Sequence, residues 1–160
     1  MSLQNSQVLQ SRKSIFKGSK SFSLASLFLP GKKRHGAWIL YRFCRWADDL
    51  IDRAENPREA LEALAYLREQ VTEAYHDRTS VLCEEALGLK FLAKEFQIPQ
   101  QYPLDLLRGL EMDVVGTEYE TIEELEDYCY CVAGTVGLMM SHILGVSSEA
   151  ALSHAVSLGK

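Results

Sequence analysis

Apolar residues along this chain recur at spacings of three and four, and nowhere do they alternate every second position. That periodicity predicts helices and no strands. Residues 24–29 read as a short apolar helical segment stopped by Pro30-Gly31. Lys32-Lys33-Arg34 then opens a long central helix that runs to about Arg53. Asn56-Pro57 caps the next helix, with Leu61, Leu64, Leu67 or Val71, and Tyr75 on its inner face. Residues 76–80 read as a turn, and Ser80 can cap a helix through Phe96 with Leu82, Leu89, Leu92 and Phe96 inward. Pro99 and Pro103 bracket another helix start, which Leu106, Leu107, Leu110 and Val114 carry to Gly116. After a connector at 116–120, Thr121 and Glu124 form a capping box. A single long helix is expected from there to Gly145, a suitable glycine just past a helix end. Ser147 or Ser148 starts a last helix. The expectation is one all-α domain over 1–160, with six or seven helices, short loops and a flexible polar stretch at 1–16.

Composition narrows the class. With 160 residues, 47% of them hydrophobic and 24% charged, the chain is long enough to enclose a core. A net charge of −5 speaks against a general nucleic-acid surface. No apolar run reaches the roughly 18–20 residues that a membrane span needs, and residues 1–10 lack the apolar core of a secretory signal. The four cysteines (Cys44, Cys83, Cys129, Cys131) make no CxxC pair, which suits buried free thiols in a reducing cytoplasm. The four histidines are scattered without zinc-ligand spacing.

The central helix carries the most informative residues. Tyr41, Arg45, Asp48 and Asp52 follow one another at four, three and four, which puts a phenol, a guanidinium and two carboxylates on one face. Ile39, Leu40, Phe43, Ala47, Leu50 and Ile51 surround them, so the helix is expected to be buried on most sides. Asp48 and Asp52 are like charges that repel by roughly 0.2–0.5 kcal/mol on an isolated helix. Both also lie near the helix C-terminus, where carboxylates oppose the macrodipole. A Mg²⁺ ion would reverse both penalties, because it takes oxygen ligands and is commonly held by one or two carboxylates plus phosphate oxygens. The alternative is an acidic, solvated helix end with Arg45 as an i,i+3 or i,i+4 ion-pair partner.

Three other places stand out. Ser19-Lys20-Ser21-Phe22-Ser23 could cradle an anion such as phosphate, or simply cap a helix. Asp113 is an acid among apolar neighbours near a helix end. Gly134 and Gly137, in Tyr-Cys-Tyr-Cys-Val-Ala-Gly-Thr-Val-Gly from Tyr128, each cost roughly 1 kcal/mol in a helix interior. They suit either close helix packing or a bare surface beside an apolar ligand.

These residues, in this order, resemble the squalene/phytoene synthases, all-α enzymes that join two isoprenoid diphosphates head to head. Three blocks carry the likeness: Ser19 to Phe22, the highly specific YRFCRWADDLID from Tyr41 to Asp52, and Gly109 to Gly137 with its VAGTVG end. The resemblance implies the N-terminal part of an isoprenoid-synthase-type helical bundle. Asp48 and Asp52 match the first aspartate-rich motif, which holds Mg²⁺ (with Mn²⁺ as a substitute) on substrate diphosphate, and Asp49 and Asp113 join them as metal-side acids. Arg45 matches a diphosphate-binding arginine. Tyr41 and Tyr128 match tyrosines at the reaction centre, and Ser19, Lys20, Ser21 and Phe22 match a segment that closes over a diphosphate. Val132, Ala133, Gly134 and Gly137 match a wall beside the prenyl chain. The general look of the YCYCVAGTVGLMM block leans toward a phytoene-type enzyme using geranylgeranyl diphosphate, with squalene- and dehydrosqualene-type reactions on farnesyl diphosphate left open.

Family members run to nearly twice this length and carry a second aspartate-rich motif that these residues lack. The expectation is a piece of a longer protein, inactive and unstable alone. A non-catalytic relative serving as a binding or assembly factor is the alternative, and an ordinary helical interaction domain with an acidic patch is a third. The lipid-soluble product makes peripheral membrane association an expectation of the family likeness, beside a cytoplasmic location. Oligomeric state is not encoded.

Overall fold

The computed structural model describes residues 24–76, 82–146 and 148–159. Seven α-helices and one π-helical turn occur among them, and no strand. The helices are α1 (Gly31–Asp52), α2 (Pro57–Tyr75), α3 (Glu84–Phe96), α4 (Gln101–Val114), α5 (Ile122–Cys129), α6 (Thr135–Leu144) and α7 (Glu149–Gly159). The π turn, Tyr130–Gly134, joins α5 to α6.

Local chemistry sets most of the boundaries. The Asn56 side chain accepts the Glu59 backbone N–H at 3.0 Å, while Glu59 returns a bond to the Glu55 backbone N–H at 2.9 Å, and Pro57 opens α2. Thr121 and Glu124 form the full reciprocal capping box at the head of α5. Gly145 ends α6 with φ 78°, a conformation that a glycine adopts without penalty. Ser148 receives the Ala151 N–H on its hydroxyl at 3.3 Å and leads into α7.

Three stretches differ from expectation. Only residues 24–26 are helical in the first apolar segment, and Leu24 and Phe28 are exposed. The third helix starts at Glu84 with Cys83 as its cap, which has no side-chain capping bond, whereas Ser80 lies outside the described residues. The long helix expected from Thr121 to Gly145 is continuous from Ile122 to Leu144 but widens into the π turn at Tyr130–Gly134. Such turns carry one extra residue per bond and cluster at functional places. Here the Thr135 hydroxyl donates to the Cys131 carbonyl at 2.6 Å.

α1 is the axis of the bundle, packing on α2, α3, α4 and α6. Its buried residues include Ala37, Ile39, Leu40, Phe43 and Ala47, which join Leu64, Leu67 and Val71 of α2, Leu89 and Leu92 of α3, Leu107 of α4, and Met139 and Ile143 of α6. Leu61, expected on the inner face of α2, is exposed instead, because that face is set by Leu64, Leu67 and Val71. Burial of α1 also fades toward its C-terminus: Leu50 and Ile51 are only half-buried, and Asp52 is exposed. The helix is therefore most enclosed around residues 36–43 and open where its acids lie. No helix among the described residues is long and apolar enough to cross a membrane.

Candidate active site

The open end of α1 brings the expected residues together, with one of them turned to a different use. Asp48 is half-buried, and burial pushes its carboxyl above the ordinary range. Arg45 pulls the other way, while Asp52, Asp49 and Asp113 each add to the upward push. Asp113, near the end of α4, thus acts on Asp48 across the helix pair, although its own side chain is exposed. It also acts on Tyr128 of α5. Burial first, and the neighbouring Asp113 carboxylate second, push the Tyr128 phenol up to about 12. Cys44, one turn before Asp48, is likewise pushed up to about 12 by burial and by Asp48, so its thiol stays neutral.

Asp49 looks elsewhere. Its two oxygens meet Arg45 Nη2 at 2.6 Å and Arg53 Nη2 at 3.1 Å, one turn on either side along the helix. This is the i,i+4 pairing that the solvated-end alternative described, but it engages Asp49 and leaves Asp48 and Asp52 on the other flank. Beside it Arg42 pairs with Glu84 and Glu85 of α3 at 2.9 and 2.7 Å. Arg42, Arg45, Trp46, Asp49, Arg53 and Glu85 surround a cavity of about 180 Å³. Arg42 and Arg53 were not singled out from sequence; Arg53 sits four residues beyond Asp49, a spacing that could have flagged it.

Among the described residues, no three His, Cys, Asp or Glu side chains converge as a metal centre. Asp48, Asp49, Asp52 and Asp113 therefore do not form a preassembled four-carboxylate cluster, and both oxygens of Asp49 meet guanidinium groups. Asp48 and Asp52 still fit a Mg²⁺ ion. They are neighbouring carboxylates at a helix C-terminus that repel each other until a cation arrives, and Mg²⁺ completes its shell with water or phosphate oxygens.

The remaining expected residues divide as follows. Tyr41 is half-buried on α1, one turn before Arg45. Val132 and Ala133 are half-buried on the π turn, where Val132 packs against Gly109 of α4. A Cβ on Gly137 would lie 3.1 Å from the Ala155 carbonyl oxygen of α7, and one on Gly134 3.7 Å from Val156. Gly137 thus serves close packing on α7, the first of the two readings left open for it, whereas the tightest neighbour of a Cβ on Gly134 would be Tyr130 of its own π turn at 3.2 Å. Ser19, Lys20, Ser21 and Phe22 lie outside the described residues.

One neighbour escaped the sequence patterns altogether. Tyr119, in the connector before α5, stacks on Tyr128 with ring centroids 5.2 Å apart. Connector residues have no periodicity to betray such a contact. Beneath these rings, Arg108 grips Asp127 through two bonds of 2.6 and 2.9 Å, and Asp105 takes the Tyr130 hydroxyl at 3.0 Å, tying α4 to α5 and the π turn.

The family model described as squalene/phytoene synthase matches residues 15–160. The chain belongs to the squalene/phytoene synthase family. It is 35% identical over 158 residues to a 15-cis-phytoene synthase from Paracoccus sp., covering 95% of this chain and 52% of that protein. A solved dehydrosqualene synthase in complex with a ligand superposes with a TM-score of 0.86 at 31% identity, over 98% of this chain and 53% of its own. A squalene synthase from Alicyclobacillus acidocaldarius gives 0.85 at 25% identity, over 96% and 57%. The fold is the all-α fold of these synthases, and the chain spans about half the length of the relatives it matches.

Proposed function

We propose that the full-length protein joins two isoprenoid diphosphates head to head, and that the end of α1 forms one wall of its diphosphate site. The observation that carries this reading is the occurrence of Arg45, Asp48 and Asp52 together at the open end of a family-matching helix, with Asp113 of α4 acting on Asp48 and Tyr128 of α5 beside Asp113. Mg²⁺ held by Asp48 and Asp52, when bound, supplies positive charge to the departing diphosphate. Arg45 orients the same group through its planar donors. The Tyr119–Tyr128 pair presents aromatic faces next to the acids, which suits stabilisation of an allylic cation. A phenol is protonated at neutral pH, and burial and the nearby Asp113 carboxylate raise Tyr128 further, so it serves there as a neutral dipole. The look of the YCYCVAGTVGLMM block favours geranylgeranyl diphosphate over farnesyl diphosphate, and the Paracoccus relative is named a 15-cis-phytoene synthase.

The test uses the natural full-length product of the gene, incubated with either diphosphate and with Mg²⁺ or a chelator. Mass spectrometry of the extracted hydrocarbons should show a forty-carbon product from geranylgeranyl diphosphate, lost with chelator. A thirty-carbon product alone would move the substrate to farnesyl diphosphate. A folded protein that makes neither would point to a non-catalytic family member.

A further inference from the structure

The pairing of Asp49 suggests a division of labour inside the aspartate-rich stretch, resting on the diphosphate reading of Arg45 above. Both oxygens of Asp49 already carry a guanidinium, Arg45 on Oδ1 and Arg53 on Oδ2. A carboxylate occupied twice in this way is a poor competitor for a divalent cation. Its neighbour Asp48 feels repulsion from Asp52, Asp49 and Asp113 instead, offset by the charge of Arg45. Arg45 stands at the border, reaching Asp49 through Nη2 while acting on Asp48 through its charge. A guanidinium has five N–H donors in a rigid fork, so it can be held on one edge by a carboxylate and present another edge to a phosphate. Left alone on an exposed helix, a long arginine side chain samples many rotamers and gives up that entropy when an anion is bound. Arg45 is half exposed, so this freedom is real unless something restrains it.

We propose that Asp49 is a positioning residue that holds Arg45 in line for the substrate diphosphate, with Arg53 occupying its second oxygen so that it does not join Asp48 and Asp52 in binding metal. Asp49 then acts through Arg45, and its removal weakens the grip on diphosphate without changing the demand for Mg²⁺.

The experiment is calorimetric titration of the full-length protein with inorganic pyrophosphate over a series of Mg²⁺ concentrations. Wild type, D49N, D49E, R45Q and the double variant R45Q/D49N are compared. D49N should weaken pyrophosphate binding about tenfold at every Mg²⁺ concentration, with the half-saturating Mg²⁺ concentration unchanged. D49E, which keeps the charge, should recover most of that loss. R45Q should weaken binding by at least as much, and D49N should add nothing in its background. If the D49N defect disappears at saturating Mg²⁺, Asp49 is a metal ligand and the proposal is wrong. If R45Q weakens binding while D49N and D49E leave it at the wild-type value, the Arg45–Asp49 pair is a surface contact and the proposal is again wrong. If R45Q itself binds pyrophosphate normally, the diphosphate reading of Arg45 falls, and the role of Asp49 falls with it.

Discussion

Asp48 and Asp49 are adjacent in sequence, equally half-buried, and opposite in electrostatic setting. Asp48 looks toward Asp52 and Asp113 and is pushed toward its neutral form by burial and by its neighbours' charge. Asp49, one residue and about 100° around the helix, lies between Arg45 and Arg53 on the flank that also carries Arg42 with Glu84 and Glu85. One flank is short of positive charge and the other has neutralised itself. A run of acids in a sequence is therefore not one site: a single helical step separates carboxylates suited to a cation from one that already has two.

The largest consequence of the comparison concerns the two arginines that differ in what holds them. R45Q should lower kcat/KM of the full-length protein about a hundredfold, the scale of losing a charged partner of a bound anion. R42Q should change it by no more than about threefold, because Arg42 is committed to α3; steady-state kinetics on either prenyl diphosphate separates the two. A smaller effect follows from the raised carboxyl of Asp48. A proton and Mg²⁺ compete for that carboxylate, and a raised pKa brings the competition to a higher pH than an ordinary aspartate would. The half-saturating Mg²⁺ concentration should therefore climb by up to about tenfold per unit as the pH falls through that raised pKa. Pyrophosphate release measured at a series of pH values would show it, and a flat profile would place Asp48 outside the metal site.

The smallest effect has the sharpest sign. In metal-free protein the folded state favours protonated Asp48, so its contribution to stability is present at low pH and lost as the pH rises through its raised carboxyl pKa. At neutral pH D48N should then stabilise, by a few tenths to about 1 kcal/mol, by removing like-charge repulsion and an unfavourable charge at the helix C-terminus. D49N should destabilise by a similar few tenths to about 1 kcal/mol, since it loses two i,i+4 ion pairs. Chelator-treated thermal denaturation of both variants tests this directly. Shifts of the same sign would erase the distinction between the flanks.

Features that depend on a few consecutive residues were legible in the sequence. Asn56-Pro57, the Thr121–Glu124 box and Gly145 signal their helix ends because each satisfies or terminates backbone bonds within one turn. The 3.6 periodicity also put Arg45, Asp48 and Asp52 side by side, and the family likeness gave them a chemistry. Tertiary partners were not legible in the same way. The exposure of Leu61 depends on which stripe of α2 meets the core, and the Tyr119–Tyr128 stack depends on the path of a connector. The π turn at Tyr130–Gly134 spans only five residues, too short a stretch for periodicity to report it. Gly137 could signal either packing or a cavity until α7 was seen lying against it.

The most direct test of the central claim is Mg²⁺-dependent pyrophosphate release by the full-length protein carrying Asp48→Asn and Asp52→Asn together, beside the wild type. If the open end of α1 is the diphosphate wall of a head-to-head prenyl synthase, release should fall by at least about a hundredfold in a protein that stays folded. Turnover that survives in the double variant would contradict that assignment.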